Sequence, residues 1–143
     1  MNESMMDLTD LQDEIENAEE PTIAETGEEH HLRIISVGTG TSKSDEGKDR
    51  KWFSPVFEVI GAPMVKEFNT FFWQPDKENL TAKQYERALY SIQVFAASFD
   101  IDLSRPIDFN DDLPGKVGWA ILGSKKDDEY GEKNTIRKFV APK

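Results

Sequence analysis

Cysteine is absent from these 143 residues. That excludes disulfides, zinc-thiolate sites and thiol nucleophiles. No run approaches the roughly 18 consecutive apolar residues that a membrane-spanning helix needs, and the opening MNESMMDLTD has neither the basic nor the apolar region of a secretory signal. A soluble cytoplasmic protein with no membrane partner is expected. Histidine is scarce too: there are two, adjacent at His30 and His31, and neighbours on an extended strand point to opposite faces. With no third ligand indicated, no metal site is expected. Gly38-Thr39-Gly40 lacks the further glycine of a dinucleotide loop and the Gly-Lys-Ser/Thr of a phosphate loop, so no cofactor is expected either. The carboxylate pairs Asp111-Asp112 and Asp127-Asp128 lie in polar stretches, where nothing apolar would raise a pKa and no histidine is near in sequence. The expectation is a binding protein, not an enzyme.

Positive charge is missing from one end only. Residues 1–29 hold eleven Asp and Glu and no Lys or Arg, whereas residues 30–143 hold seventeen of each sign, so the whole formal charge of -11 sits in the first segment. A neutral domain can still bind phosphate where its cations cluster. The first segment also lacks aromatic residues, and such a composition buries too little apolar surface to offset the entropy of ordering it. Residues 1–29 are therefore expected to be a disordered acidic tail, and residues 30–143 one domain. Within the tail, Thr9-Asp10-Leu11-Gln12 has capping-box spacing, and Leu11, Ile15 and Ala18 follow on one helical stripe before Pro21. A short helix that forms on a partner and a plain solubilising tail both fit.

From His30 the pattern becomes an alternation, Leu32 and Ile34 against Arg33, Ile35 and Val37, which reads as a first strand. Gly38 to Gly47 is rich in Gly, Ser and Thr and reads as a mobile loop leading to Lys48, Arg50 and Lys51. Two aromatic and β-branched runs then flank Gly61-Ala62-Pro63, the signal of a hairpin. Trp52, Ser54, Val56 and Glu58 alternate with Phe53, Pro55, Phe57 and Val59, and Phe68, Thr70 and Phe72 alternate with Asn69, Phe71 and Trp73, so both faces carry rings. Only one face of a small sheet is normally core, and rings on the other must meet a helix, a partner or a flat ligand. Thr81-Ala82-Lys83-Gln84 opens a helix with capping-box spacing, and Tyr85, Ala88, Leu89, Ile92, Phe95, Ala96 and Phe99 form its apolar stripe. A fourth strand is expected from Val117 to Leu122, with Trp119 in the core, then a polar loop from Gly123 to Lys133. A fifth strand follows from about Asn134 to Val140, with Thr135, Arg137 and Phe139 on one face.

Three strands, one helix and two strands is the connectivity of the OB-fold, a small Greek-key barrel. The expected fold is mainly β: a five-stranded OB barrel over residues 30–143, with its helix between strands three and four, behind a disordered acidic tail. A generic α+β sandwich and a longer barrel are the competing architectures. The run from Leu32 to Trp73, with its Ser-Lys-Ser-x-x-Gly loop and WFSPVFEVIG, the helix, and GKVGWAILGSKKDDEYGEKNTIRKFVAP together resemble the small single-stranded DNA-binding proteins encoded by bacteriophages, over about residues 27–142. That resemblance implies an OB barrel acting in DNA replication or recombination in the cytoplasm of a host cell. Bacterial proteins of this type carry their acidic, protein-recruiting tail at the C-terminus. Here the acidic segment is N-terminal.

Single-strand binding needs a positive groove to track phosphates and rings on which bases stack, at about 1–3 kcal/mol per base. The candidate cations are Lys43, Lys48, Arg50 and Lys51 around the first loop and Lys125, Lys126, Lys133, Arg137 and Lys138 around the last. The candidate rings are Trp52, Phe68, Phe71, Trp73 and Tyr130. The expected partner is single-stranded DNA, with the tail as a docking point for a replication or recombination protein. The alternative is a protein-interaction or assembly module, in which exposed rings form a subunit interface in a homo-oligomer.

Overall fold

The computed structural model describes residues 4–43, 49–129 and 131–142. A short 3-10 turn, Thr9–Leu11, runs into helix α1, Gln12–Glu16. Then come β1 (Glu29–Lys43), β2 (Asp49–Val59), β3 (Phe68–Asn69), β4 (Phe72–Trp73), helix α2 (Ala82–Phe99), β5 (Val117–Asp127) and β6 (Gly131–Val140). The strands make one antiparallel sheet in the order β3-β2-β1-β5-β6, with β4 also on β2. The helix falls between the hairpin and the last two strands, as the sequence predicts.

Among the described residues the sheet has six strands rather than five, and Pro55 is the reason. Val56 and Phe57 pair with Asn69 and Phe68, and Trp52 and Phe53 pair with Trp73 and Phe72, in one unbroken register. Between them Thr70 N–H donates to the Pro55 carbonyl at 3.3 Å. Proline has no N–H to return the bond. The Ser54 hydroxyl donates to the Thr70 carbonyl at 2.6 Å instead, and Asn69 Nδ2 donates to the Ser54 hydroxyl at 2.7 Å. The third predicted strand is thus split in two without losing its alternation.

The two expected loops are largely strand. Gly38 to Lys43 continues β1 against Asp49 to Ser54, and Gly123 to Asp127 continues β5 against Gly131 to Thr135. Two bulges also reverse faces that simple alternation assigns. One between Ile34 and Ser36 opposite β2 returns Val37 to the core side, and one opposite Ile121 and Leu122 leaves Arg137 as the extra residue on β6. Phe139 and Ile136 therefore share the inner face with buried Asn134, not with Thr135 and Arg137.

Every phenylalanine except Phe71 packs into or against the core. Phe57 is fully buried and meets Phe68, Phe99 and Phe139 at 5.6, 5.5 and 6.4 Å. The sheet curls until its ends face one another: Phe72 and Phe139 lie 6.4 Å apart, and Lys66 Nζ donates to the Glu132 carbonyl at 3.3 Å. No ladder joins β3 or β4 to β6 among the described residues. Helix α2 packs against β4, β5 and β6. Its capping box is complete, with Gln84 N–H donating to Thr81 Oγ1 and Thr81 N–H to Gln84 Oε1. Phe95, Ala96, Ser98 and Phe99 are its buried residues. Gly118 lets the helix approach, since a Cβ there would sit 2.7 Å from the Ser98 carbonyl oxygen.

The first segment departs from expectation in two places. Thr9 caps no helix: the turn's N-cap is Leu8 and that of α1 is Leu11, neither with a side-chain cap bond, while Asp7 accepts the Thr9 backbone N–H and hydroxyl, and both bonds hold its carboxyl below the usual range. And residues expected to belong to a disordered tail are docked from Thr22 onward. Thr22 bridges Val65 in parallel, Ala24 is buried against Asn134, and Gly27 N–H donates to the Leu122 carbonyl at 2.9 Å.

Candidate nucleic-acid interface

The pairing of β2 with β1 and β4 decides which side chains share the outer face. Gly40 is opposite Trp52 on one side and Trp73 is opposite it on the other. Two residues along, Phe71 shares Trp73's side of the pleat. Phe53 and Phe72, the register neighbours of Trp52 and Trp73, point the other way and stack on each other in the core at 4.9 Å.

The outer rings form a continuous array. Trp52 and Phe71 stack with centroids 5.0 Å apart and planes 29° off parallel, and Phe71 meets Trp73 edge-on at 5.0 Å and 70°. The Arg50 guanidinium lies 4.4 Å above the Trp73 ring, a cation–π contact. No carboxylate pairs with Arg50 among the described residues. Phe71 is 45% exposed, while Trp52 and Trp73 are half-buried. The indole of Trp52 lies down over β1 because Gly40 has no side chain: a Cβ there would come within 2.6 Å of the ring. Sequence patterning misses this role, because Gly38 and Gly40 read as loop residues. The signal was available as isolated glycines inside an otherwise β-branched run.

Cations frame the array unevenly. Arg50 shares the outer face with the rings, and exposed Lys51 next to it on β2 lies on the other side of the pleat. Lys125 and Lys133 are register partners on the β5–β6 hairpin, with exposed Lys126 beside them. The Lys66–Glu132 bond sets that hairpin against the segment entering β3, so its lysines flank the end of the β2–β4 face away from Trp52. Lys66 was not among the predicted residues. Arg137 and Lys138 line a cleft of about 350 Å³ with Thr70, Phe71 and Tyr90, but the Arg137 side chain reaches back across Gly123 toward Gly27 rather than onto the rings. Lys48, Tyr130 and the side chain of Lys43 lie outside the described residues.

Two ring assignments are corrected. Phe68, expected as a platform, is 3% exposed and packs on Phe57, since its register position is on the inner face. Trp119, expected in the core, is 45% exposed and stacks on its β1 partner His31 at 4.4 Å with planes 6° apart. The inward positions of β5 are Gly118 and Ala120, so the large residues alternating with them face out.

The sequence matches no known family's model and no curated protein.

Proposed function

We propose that this chain binds single-stranded DNA without strong sequence preference, in replication or recombination, on the outer face of β2, β3 and β4. The observation that carries the reading is the Arg50–Trp73–Phe71–Trp52 array: a guanidinium with no carboxylate partner among the described residues and three connected rings on one accessible face. Bases stack on aromatic faces whatever their identity, and cations beside them track the backbone. The architecture is read as an OB barrel whose third strand is split at Pro55 and whose β3 and β6 edges meet without a ladder. In that fold the outer face of the second and third strands and the two flanking hairpins hold oligonucleotides. Titrating a labelled oligonucleotide with the full chain at two salt concentrations tests it. Micromolar or tighter binding that weakens as salt rises is expected, and no binding at low salt would refute it.

A second reading, a protein-assembly module, is favoured by Trp119. Its patch includes exposed Val117 and half-buried Val140, with Glu29 at its edge and Arg33 neutralised by Glu58 at 2.8 Å. Such a surface suits protein better than phosphate. Sedimentation of Trp119→Ala against the unaltered chain separates the two: loss of an oligomer with DNA binding retained would assign assembly to this end of the sheet alone.

A further inference from the structure

We infer that the bound strand leaves the sheet across the seam between β4 and β6, where a cleft holds one nucleotide with its base on Tyr90 and its phosphate on Lys138, an inference that rests on the single-strand reading of the adjoining face. The seam exists because no ladder joins β4 to β6 among the described residues. The cleft in it measures about 350 Å³ and is bordered by Phe71 and Phe72 on one bank, Lys138 and Phe139 on the other, and Tyr90 of helix α2. Ligand pockets run from roughly 300 to 1,000 Å³, so this one has room for a single nucleotide.

The mouth of the cleft opens on the outer face. A strand edge without a neighbour leaves side chains from both of its faces bordering the gap, and the inner ones here are Phe72 and Phe139, buried with ring centroids 6.4 Å apart. They form the floor. Phe71 and Lys138, their immediate chain neighbours, point outward from the two banks, and both are exposed. Phe71 also stacks on Trp52 at 5.0 Å. A strand whose bases lie on Trp52 and Phe71 therefore reaches the mouth without changing faces.

The lining has the mixed chemistry that a nucleotide needs. Tyr90 is 64% exposed, more than any other ring among the described residues, and its phenol offers a flat apolar face with a polar tip left in water. Lys138 has no carboxylate partner among the described residues. The Arg137 guanidinium is turned toward Gly27, which leaves Lys138 as the cation of the mouth. Thr70 and Ser91 bring half-buried hydroxyls to the walls. Ser91 gives its hydrogen to the Ala88 carbonyl at 2.9 Å, so its oxygen accepts from a base N–H. A peptide strand fits less well: to pair with either edge it would have to enter between the banks and part Phe72 from Phe139, whereas a base meets Tyr90 and Lys138 from outside. The consequence is a bound strand that turns off the sheet onto helix α2.

The test uses the full chain and the shortest oligothymidine that binds at full affinity, with an abasic site placed at each position in turn. In the unaltered chain each position that rests on a ring should show binding about tenfold weaker, the loss expected for one stacked base. In Tyr90→Ala the penalty at one end position should vanish while the others remain, and the intact oligonucleotide should bind about tenfold more weakly; Tyr90→Phe should keep the unaltered affinity. Lys138→Ala, at a second exposed position, should flatten the dependence of log affinity on log salt by roughly 0.7, and it decides the matter if Tyr90→Ala does not fold. Abasic penalties unchanged at every position in folded Tyr90→Ala, while Trp52→Ala erases one, would overturn the cleft and leave the face standing. If the unaltered chain binds no oligonucleotide, both readings fail.

Discussion

Asn134 holds Ala24 as a neighbouring strand would. Its Oδ1 accepts the Ala24 backbone N–H at 2.8 Å and its Nδ2 donates to the Ala24 carbonyl at 3.1 Å, reproducing with a side chain the two bonds of a paired residue in a sheet. The same Nδ2 donates to the Gly123 carbonyl at 3.1 Å, and Asn134 is 1% exposed. Residues 22–27 thus belong to the domain, although their composition is that of the tail.

Two truncations and one substitution follow from that clamp. Removing residues 1–20 should leave the chemical denaturation midpoint unchanged. Removing residues 1–29, or replacing Asn134 by Ala, should lower stability by about 1–3 kcal/mol, because buried backbone groups or their amide partner lose their bonds. Equal midpoints for all three proteins would show that the docked segment contributes nothing to the fold.

Gly40 and Gly38 give a matched pair of substitutions on one strand. Ala at Gly40 drives its methyl into the Trp52 ring, whereas a Cβ at Gly38 meets the nearest Trp52 atom at an ordinary 3.7 Å. Gly40→Ala should therefore lose about 1–3 kcal/mol of oligonucleotide binding as the stacked ring is displaced, while Gly38→Ala stays near the unaltered affinity. Indole fluorescence should shift only in the first. Identical binding by both variants would mean that the ring's resting position is irrelevant.

Part of this arrangement is legible in the residues and part is not. Capping at Thr81, the turn at Gly61 and the alternation through Trp52–Val59 depend on local chemistry, and each is present as the sequence predicts. What is missed depends on partners far along the chain. A bulge at Ile35 or Arg137 is fixed by register across the sheet, so the inward place of Phe139 cannot be read from β6 alone. Trp119 looks like core by its hydrophobicity, but Gly118 must face inward to let Ser98 approach, and that forces Trp119 out. The Ser54 hydroxyl that substitutes for the missing Pro55 N–H is evident only once Thr70 is known to lie opposite.

Ring by ring, platform and core should separate in the laboratory. Trp52→Ala, Phe71→Ala and Trp73→Ala should each lose about 1–3 kcal/mol of binding, with thermal stability least affected at Phe71, the most exposed of the three. Phe68→Ala should instead lose about 3–5 kcal/mol of stability, the cost of emptying a buried phenylalanine site. Unfolding by Phe71→Ala would contradict its placement on the outer face.

Arg50 and Lys51 should act through charge rather than base identity. Replacing both by Ala is expected to weaken binding to every sequence by a similar factor, and to flatten the dependence of log affinity on log salt by roughly 0.7 for each lost phosphate contact. The Arg50 change should exceed the Lys51 change, since the guanidinium also stacks on Trp73. A slope that stays the same in the double variant would place the phosphate path elsewhere, with Lys125 and Lys133 the next pair to replace.

The acidic segment should compete with DNA for the face beside which it emerges. Residues 1–20 carry eight carboxylates and no cation, and they leave the domain at Thr22, against Val65 and Lys66 just before β3. The six residues from Asn17 to Thr22 that link α1 to the domain span up to about 20 Å at roughly 3.3–3.6 Å per residue, and α1 carries its carboxylates beyond them. The face from Phe68 to Trp73 is about 20 Å long at roughly 3.3 Å per residue, so the tail can reach Arg50. Short flexible tethers give effective concentrations of about millimolar, enough to compete even with poor intrinsic affinity. Deleting residues 1–20 keeps the Ala24–Asn134 clamp, and should tighten DNA binding, more strongly at low salt where screening is weakest. A free peptide of residues 1–20, added at millimolar concentration to the truncated protein, should displace DNA beyond the effect of simple salt at equal ionic strength. Displacement no greater than that of salt would reduce the effect to general repulsion, and equal affinities for full-length and truncated chains at low salt would remove it altogether.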